Sequence, residues 1–175
     1  SRAIQTYICT NETVENIFDH LSDAQRAAAQ LLGFTGERGQ GVIVFEGETP
    51  VALLGLGDEM SRRRGRFALA AAASKLPDGI YEFCEDSALE QNETEIVGWF
   101  IDQYRFDRYK SIKRPVRELV KPAWANTKQI TAIVEAEQLC RDLINTPAAD
   151  MGPSELSKAA EALANQHQAD FSVIV

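Results

Sequence analysis

The sequence predicts an α/β protein, because short β-branched runs alternate with amphipathic helical stretches and the two kinds are separated by glycine and proline turns. A long polar-capped helix follows, and after a proline turn a helix and an apolar strand open what reads as a second α/β domain. With 175 residues and 45% hydrophobic content the chain can bury a core.

Gln5 to Thr10 is the first strand by its aromatic and β-branched content, and Asn11 is expected to cap a short helix reaching Leu21. Ser22 is expected to cap a second helix over Asp23 to Leu32, ended by Gly33. A connector with glycines at 33, 36, 39 and 41 leads to the strand Val42 to Phe45. The turn Glu46 to Pro50 returns the chain into Val51 to Leu56, so these two strands should form a hairpin.

The alanine-rich stretch from Ser61 to Leu76 reads as one helix, whose small side chains let it lie close to a sheet. Pro77-Asp78-Gly79 ends it, and Ile80 to Cys84 is the next strand. Leu89 to Tyr104 follows as a helix with Ile96, Val97, Phe100, Ile101 and Tyr104 on one face. The polar, basic stretch from Arg105 to Lys121 holds an edge strand at Val116 to Val120. Asn126 or Thr127 starts a long helix to Ile144, in which Glu137 and Arg141 are spaced to pair. Beyond Pro147, Ser154 is read as the cap of a helix to Gln168, and Phe171 to Val175 as a strand. The organisation expected is an N-terminal α/β domain over residues 1–125, a linker helix over 126–146 and the start of a truncated domain over 147–175.

Charge and motif content exclude several function classes. A net charge of −8 opposes broad binding of a phosphate backbone, which needs Lys and Arg to displace counterions. The basic run Arg62, Arg63, Arg64 and Arg66 follows Asp58 and Glu59 and reads as a solvated helix face. No apolar run approaches the roughly 20 residues of a membrane span, and the N-terminal residues lack the pattern of an export signal. Cys9, Cys84 and Cys140 are widely spaced and read as reduced and structural, without zinc-ligand spacing or a base for a thiol nucleophile. His20 and His167 fall in surface helices, and neither HExxH nor Gly-x-Ser-x-Gly occurs.

Two glycine-rich segments have the composition of ligand loops. Leu54-Gly55-Leu56-Gly57 lies between a strand and a helix, the setting of a phosphate cradle, but Met60 stands where a dinucleotide fingerprint needs its third glycine. Glycine for a tight turn is the reading preferred there, and a plain connector for Gly33 to Gly41. Asp142 and Asp150 flank the proline turn without the further carboxylates that a hard cation requires.

The segment Cys140-Arg141-Asp142-Leu143-Ile144-Asn145-Thr146-Pro147-Ala148-Ala149-Asp150-Met151-Gly152-Pro153-Ser154-Glu155-Leu156 resembles the junction between linker helix and catalytic domain in the leucyl (cytosol) aminopeptidase family. Ala149 stands where many members have asparagine. Gly98-Trp99 followed by Tyr104-Arg105-Phe106-Asp107-Arg108-Tyr109-Lys110 is similar to a GW…YRFxRY pattern of bacterial members, and Leu54 to Gly57 agrees. The resemblance implies a macro-like N-terminal domain, a mixed sheet flanked by helices, in a cytoplasmic homo-hexameric peptidase. Such an enzyme uses two divalent metals, zinc or manganese, to cut N-terminal residues from peptides. The family's metal ligands and catalytic lysine and arginine lie in the later domain, including an NTDAEGR-like segment absent here, so no catalytic, cofactor or metal position carries over. The fragment itself is expected to be inactive and to serve assembly or access to the active site. The competing readings are a free-standing macro-like module holding a nucleotide or ADP-ribose at Gly55 and Gly57, and an interaction domain.

Overall fold

The computed structural model describes residues 2–85, 87, 92–113 and 115–174, with the side chain of Arg64 left outside the description. Contacts divide the chain into two units, residues 1–134 and 135–175.

The first unit is built on a five-stranded sheet: β1 (Ile4–Cys9), β2 (Gly41–Glu46), β3 (Thr49–Gly55), β4 (Gly79–Phe83) and β5 (Arg117–Leu119), in the order β2-β3-β1-β4-β5. β1 pairs in parallel with β3 and β4, and β4 with β5. β2 runs antiparallel to β3, as the hairpin reading requires, which makes the sheet mixed. Its helices are α1 (Val14–Phe18), α2 (Asp23–Leu31), α3 (Glu59–Arg64), α4 (Ala68–Ala73) and α5 (Glu93–Ile101), and α6 (Thr127–Asn145) begins in it.

Alternation along the strands sends neighbouring side chains to opposite faces. Cys9, Val44, Val51 and Leu53 meet Val14, Ile17, Phe18 and Ala29 of α1 and α2. Ile8, Ala52, Leu54 and Tyr81 meet Leu69, Ala72 and Ala73 of α4 and Trp99 of α5. The sheet is thus covered on both sides, which is why β3 reads as an almost unbroken apolar run.

Several boundaries differ from the sequence reading. Asn11 is not the first cap: α1 starts after Thr13, because the Thr10 hydroxyl accepts from the Glu12 and Thr13 N–H groups and forms a turn first. Ser22 does cap α2, in a reciprocal box with Gln25. The single helix expected from Ser61 to Leu76 is two, α3 capped by Asp58 and α4 beginning after Phe67, which sits in the left-handed region at φ 61°. The break has a packing cause. Gly65 leaves room for the Arg38 guanidinium, and the Phe67 ring lies where a side chain on Gly98 of α5 would have to be.

α5 starts after Asn92, whose side chain caps it, so the expected start at Leu89 falls outside the described residues. Its burial is wider than one stripe. Ile96 and Val97 pack against Ala125 and Ile130 at the start of α6, while Trp99, absent from the expected face, is fully buried beside Tyr81 and Phe83.

In the second unit α7 (Pro153–Gln166) takes Gly152 as its cap and Pro153 as its first residue, not Ser154 as cap. Glu137 and Arg141 form the expected i, i+4 pair at 2.9 Å. The strand expected at Phe171 to Val175 is absent over residues 171–174, and Val175 is outside the described residues. A strand exists only through ladder bonds to a neighbour, and these residues have none. Thr146 alone is buried among the described residues of this unit.

Candidate functional site

The two glycine-rich segments come together at the carboxyl ends of the parallel strands, where open α/β sheets place ligands. Here that place is filled by the chain itself. Gly55 N–H donates to the Gln40 carbonyl at 2.8 Å, Leu56 N–H to Cys9 at 2.8 Å and Gly57 N–H to Gly36 at 2.9 Å. A phosphate cradle needs those N–H groups free. A Cβ on Gly55 would overlap the Glu37 carbonyl oxygen, and Gly57 takes φ +78°, so both glycines serve close approach and turn geometry.

Arg38 reinforces this packing, donating to the carbonyls of Ser61 and Arg66. Arg62 donates to the Gly57 carbonyl, and Arg63 pairs with Glu59 across one turn of α3. Three arginines of this region therefore brace its loops or pair locally.

At the ends of β4 and β5 lies a cleft of about 450 Å³ lined by residues that include Phe83, Cys84, Ser87, Lys121 and Trp124. The sequence reading did not identify it. The Cys84 thiol donates to Gln5 Oε1 at 3.4 Å, and no imidazole lines the cleft. His20 is stacked on Tyr7 at 5.7 Å and exposed, and His167 closes α7. In the turn after α6 the Asp142 carbonyl accepts from Thr146, and the Asp150 N–H donates to the Pro147 carbonyl.

Cys9, Cys84 and Cys140 are all free. Burial pushes the Cys9 thiol up to about 12, so it is protonated and inert at neutral pH. Cys140 is exposed on α6 and holds no core position, contrary to the structural role expected for it. A thiol–disulfide reagent at pH 8 should therefore modify Cys140 first and Cys9 only as fast as the protein opens. The raised Cys9 value also ties stability to pH. Its contribution is whole below the unfolded value near 9 and declines as pH rises towards 12, a loss that Cys9→Ala should remove from a denaturation series.

The polar cluster that the sequence reading missed centres on Arg117, 4% exposed in β5. Its guanidinium pairs with Asp102, and its backbone N–H and C=O are both met by the Gln103 amide, at 2.8 and 3.1 Å. The Trp99 indole also donates to the Arg117 carbonyl at 2.9 Å. This arrangement closes one edge of the sheet and positions no reacting group.

Among the described residues no three His, Cys, Asp or Glu side chains converge as metal ligands, and no helix is long and apolar enough to cross a membrane.

Comparison with known proteins places these observations. Residues 7–122 match the family model of the M17 aminopeptidase N-terminal domain. A probable cytosol aminopeptidase of Wolinella succinogenes is 29% identical over 162 residues, covering 81% of this chain and 33% of that protein. The fold is shared with the cytosol aminopeptidase of Coxiella burnetii, with TM-score 0.82 and 24% identity over 96% of this chain and 36% of that one. It is also shared with a tomato leucine aminopeptidase mutant, with TM-score 0.68 and 18% identity over 95% of this chain and 40% of that one. The chain spans about a third of the length of the curated relative. The family match covers most of the chain, and the chain belongs to the M17 aminopeptidases, whose N-terminal domain it carries.

Proposed function

We propose that this chain is the N-terminal, non-catalytic part of a metal-dependent aminopeptidase that releases N-terminal residues from peptides. The observation that carries the reading is the family match over residues 7–122, supported by the junction-like segment Arg141 to Leu156. In this reading residues 1–125 form the N-terminal domain, 126–146 the linker helix, and 147–175 the opening of the catalytic domain.

Two divalent metals, zinc or manganese, belong to the proposed parent, and a bottromycin maturation enzyme of similar fold is known in complex with Mn, at TM-score 0.70 and 20% identity. The described residues of this chain do not fit such a centre, because no ligand set converges among them. The proposed parent would hold its metals on residues other than those described here. The parent is proposed to be cytoplasmic and to assemble as a homo-hexamer, with this domain shaping assembly or access to the active site.

Incubating this chain and the longer gene product with a leucine anilide and manganese or zinc tests the reading. The expected result is metal-dependent turnover by the longer protein and none by the chain. Turnover by the chain that survives repurification would overturn its non-catalytic role. A longer protein silent across several N-terminal residues and both metals would overturn the parent's activity.

A further inference from the structure

The proposed function gives no role to the cleft at the ends of β4 and β5. It lies at the carboxyl ends of two parallel strands, the place where open α/β sheets bind ligands. The chain closes the corresponding place at β1 and β3 with its own backbone, whereas the described residues leave this one open. Its volume of about 450 Å³ falls within the range of small-molecule sites, about 300–1,000 Å³.

Two segments line it. The one leaving β4 brings Phe83 and Glu85, and the one leaving β5 brings Lys121 and Trp124. Phe83 and Trp124 are half-buried and pack against the cluster of Ile96, Val97, Ala125 and Ile130, so the apolar lining is anchored before any ligand arrives. Ser87 fixes the exit from β4: its N–H donates to the Cys84 carbonyl at 3.1 Å, and its hydroxyl accepts from the Ile8 N–H at 3.2 Å. The Glu82 carboxylate, which also lines the cleft, accepts from the Gln5 amide at 2.8 Å. Glu85 and Lys121 differ. Both are exposed, and among the described residues neither forms an ion pair, with the other or with a third group.

We propose that this cleft binds a free α-amino acid with an apolar side chain, its carboxylate on Lys121, its ammonium on Glu85 and its side chain against Phe83 and Trp124. The pair of opposite charges selects the ligand class. A simple anion or a nucleotide phosphate would face the Glu82 and Glu85 carboxylates, and a simple cation would face the Lys121 ammonium, while a zwitterion satisfies both signs. Because the two charged side chains are exposed and must be ordered, the dissociation constant is expected on the order of 1 mM. The residue released by an aminopeptidase has this chemistry, so the site would sense product. That link rests on the proposed function, whereas the site itself does not.

An amide-resolved NMR titration of the 175-residue chain tests the site with three probes: L-leucine, leucinamide, which lacks the carboxylate, and 4-methylpentanoate, which lacks the ammonium. The expected result is saturable shifts at Phe83, Glu85, Lys121 and Trp124 with leucine, and binding roughly fivefold weaker with each of the other two. Lys121→Gln should remove the preference for leucine over leucinamide, and Glu85→Gln the preference over 4-methylpentanoate, with the rest of each spectrum unchanged. No saturation up to about 20 mM leucine, equal binding of the three probes, or preferences that survive both substitutions would each overturn the assignment. The titration reads binding to this chain alone, so a longer gene product without peptidase activity would overturn the proposed function and leave the site standing.

Discussion

Gly55→Ala is expected to destabilise the first unit by about 3 kcal/mol or more, a large fraction of the total stability of an ordinary domain. The added methyl group would overlap the Glu37 carbonyl oxygen and lie 2.7 Å from the Gly36 carbonyl carbon. These are backbone atoms, so relief requires the loop from Gly36 to Gln40 to move away. That loop is bound to the end of β3 by Gly39 N–H to Gly55, Gly55 N–H to Gln40 and Gly57 N–H to Gly36. Moving it breaks all three bonds together and leaves buried polar groups unpaired. Gly47→Ala is the matched control. Gly47 also has a positive φ, +58°, but nothing lies within 4 Å of its added methyl, so only the backbone penalty of about 1–2 kcal/mol remains. Urea denaturation followed by circular dichroism reads both. If Gly55→Ala unfolds within about 1 kcal/mol of the parent, the loop yields freely and the close-approach account of this turn fails.

The alternation of strands and helices was legible because it rests on local patterns. The hairpin at Glu46 to Pro50, the capping serine of α2 and the pair Glu137–Arg141 all follow from residues a few positions apart. What misled the reading was tertiary. Ser61 to Leu76 has helical composition throughout, and its interruption depends on Arg38 and Gly98, which are distant in sequence. Trp99 falls outside the stripe of α5 because that helix is buried on two sides, and a one-face pattern cannot describe such a helix. The absent strand after α7 shows the same limit from the other direction, since apolar content supplies side chains and only a neighbour supplies ladder bonds.

The glycine turn was read correctly in sequence as geometry, although the reason could not be seen there. The Met60 position argued against a dinucleotide fingerprint, while the structure adds that each N–H from Gly55 to Gly57 is already spent on a carbonyl. Family membership was legible for another reason. The GW…YRFxRY-like stretch, a long ordered string, lies within the residues that the family model matches. Arg117 was hidden by its neighbours: Val116 and Val120 are exposed at 51% and 37%, while the arginine between them is buried. Hydropathy along that strand assigns the wrong face to water.

Asp102→Ala is expected to cost about 3–5 kcal/mol, because it strands a buried guanidinium without its counter-charge. Arg117 is 3% exposed at its side chain and its Nε has no partner, so it is already incompletely satisfied. Its carboxylate partner is 29% exposed, which makes the two single substitutions unequal. Arg117→Met removes the buried cation and leaves Asp102 able to hydrate, while the β5 backbone keeps its bonds to Gln103 and Trp99. It should cost about 1 kcal/mol or less by the same reasoning, since an apolar side chain of similar length replaces a desolvated charge. Combining the two substitutions should recover most of the loss from Asp102→Ala and give a coupling of about 3 kcal/mol in a double-mutant cycle. Should Asp102→Ala instead lie within about 0.5 kcal/mol of the parent, water reaches the guanidinium and the cluster is an ordinary surface pair. A large loss from Arg117→Met alone would show that the cation itself, and not the edge closure by Gln103 and Trp99, holds β5 against β4.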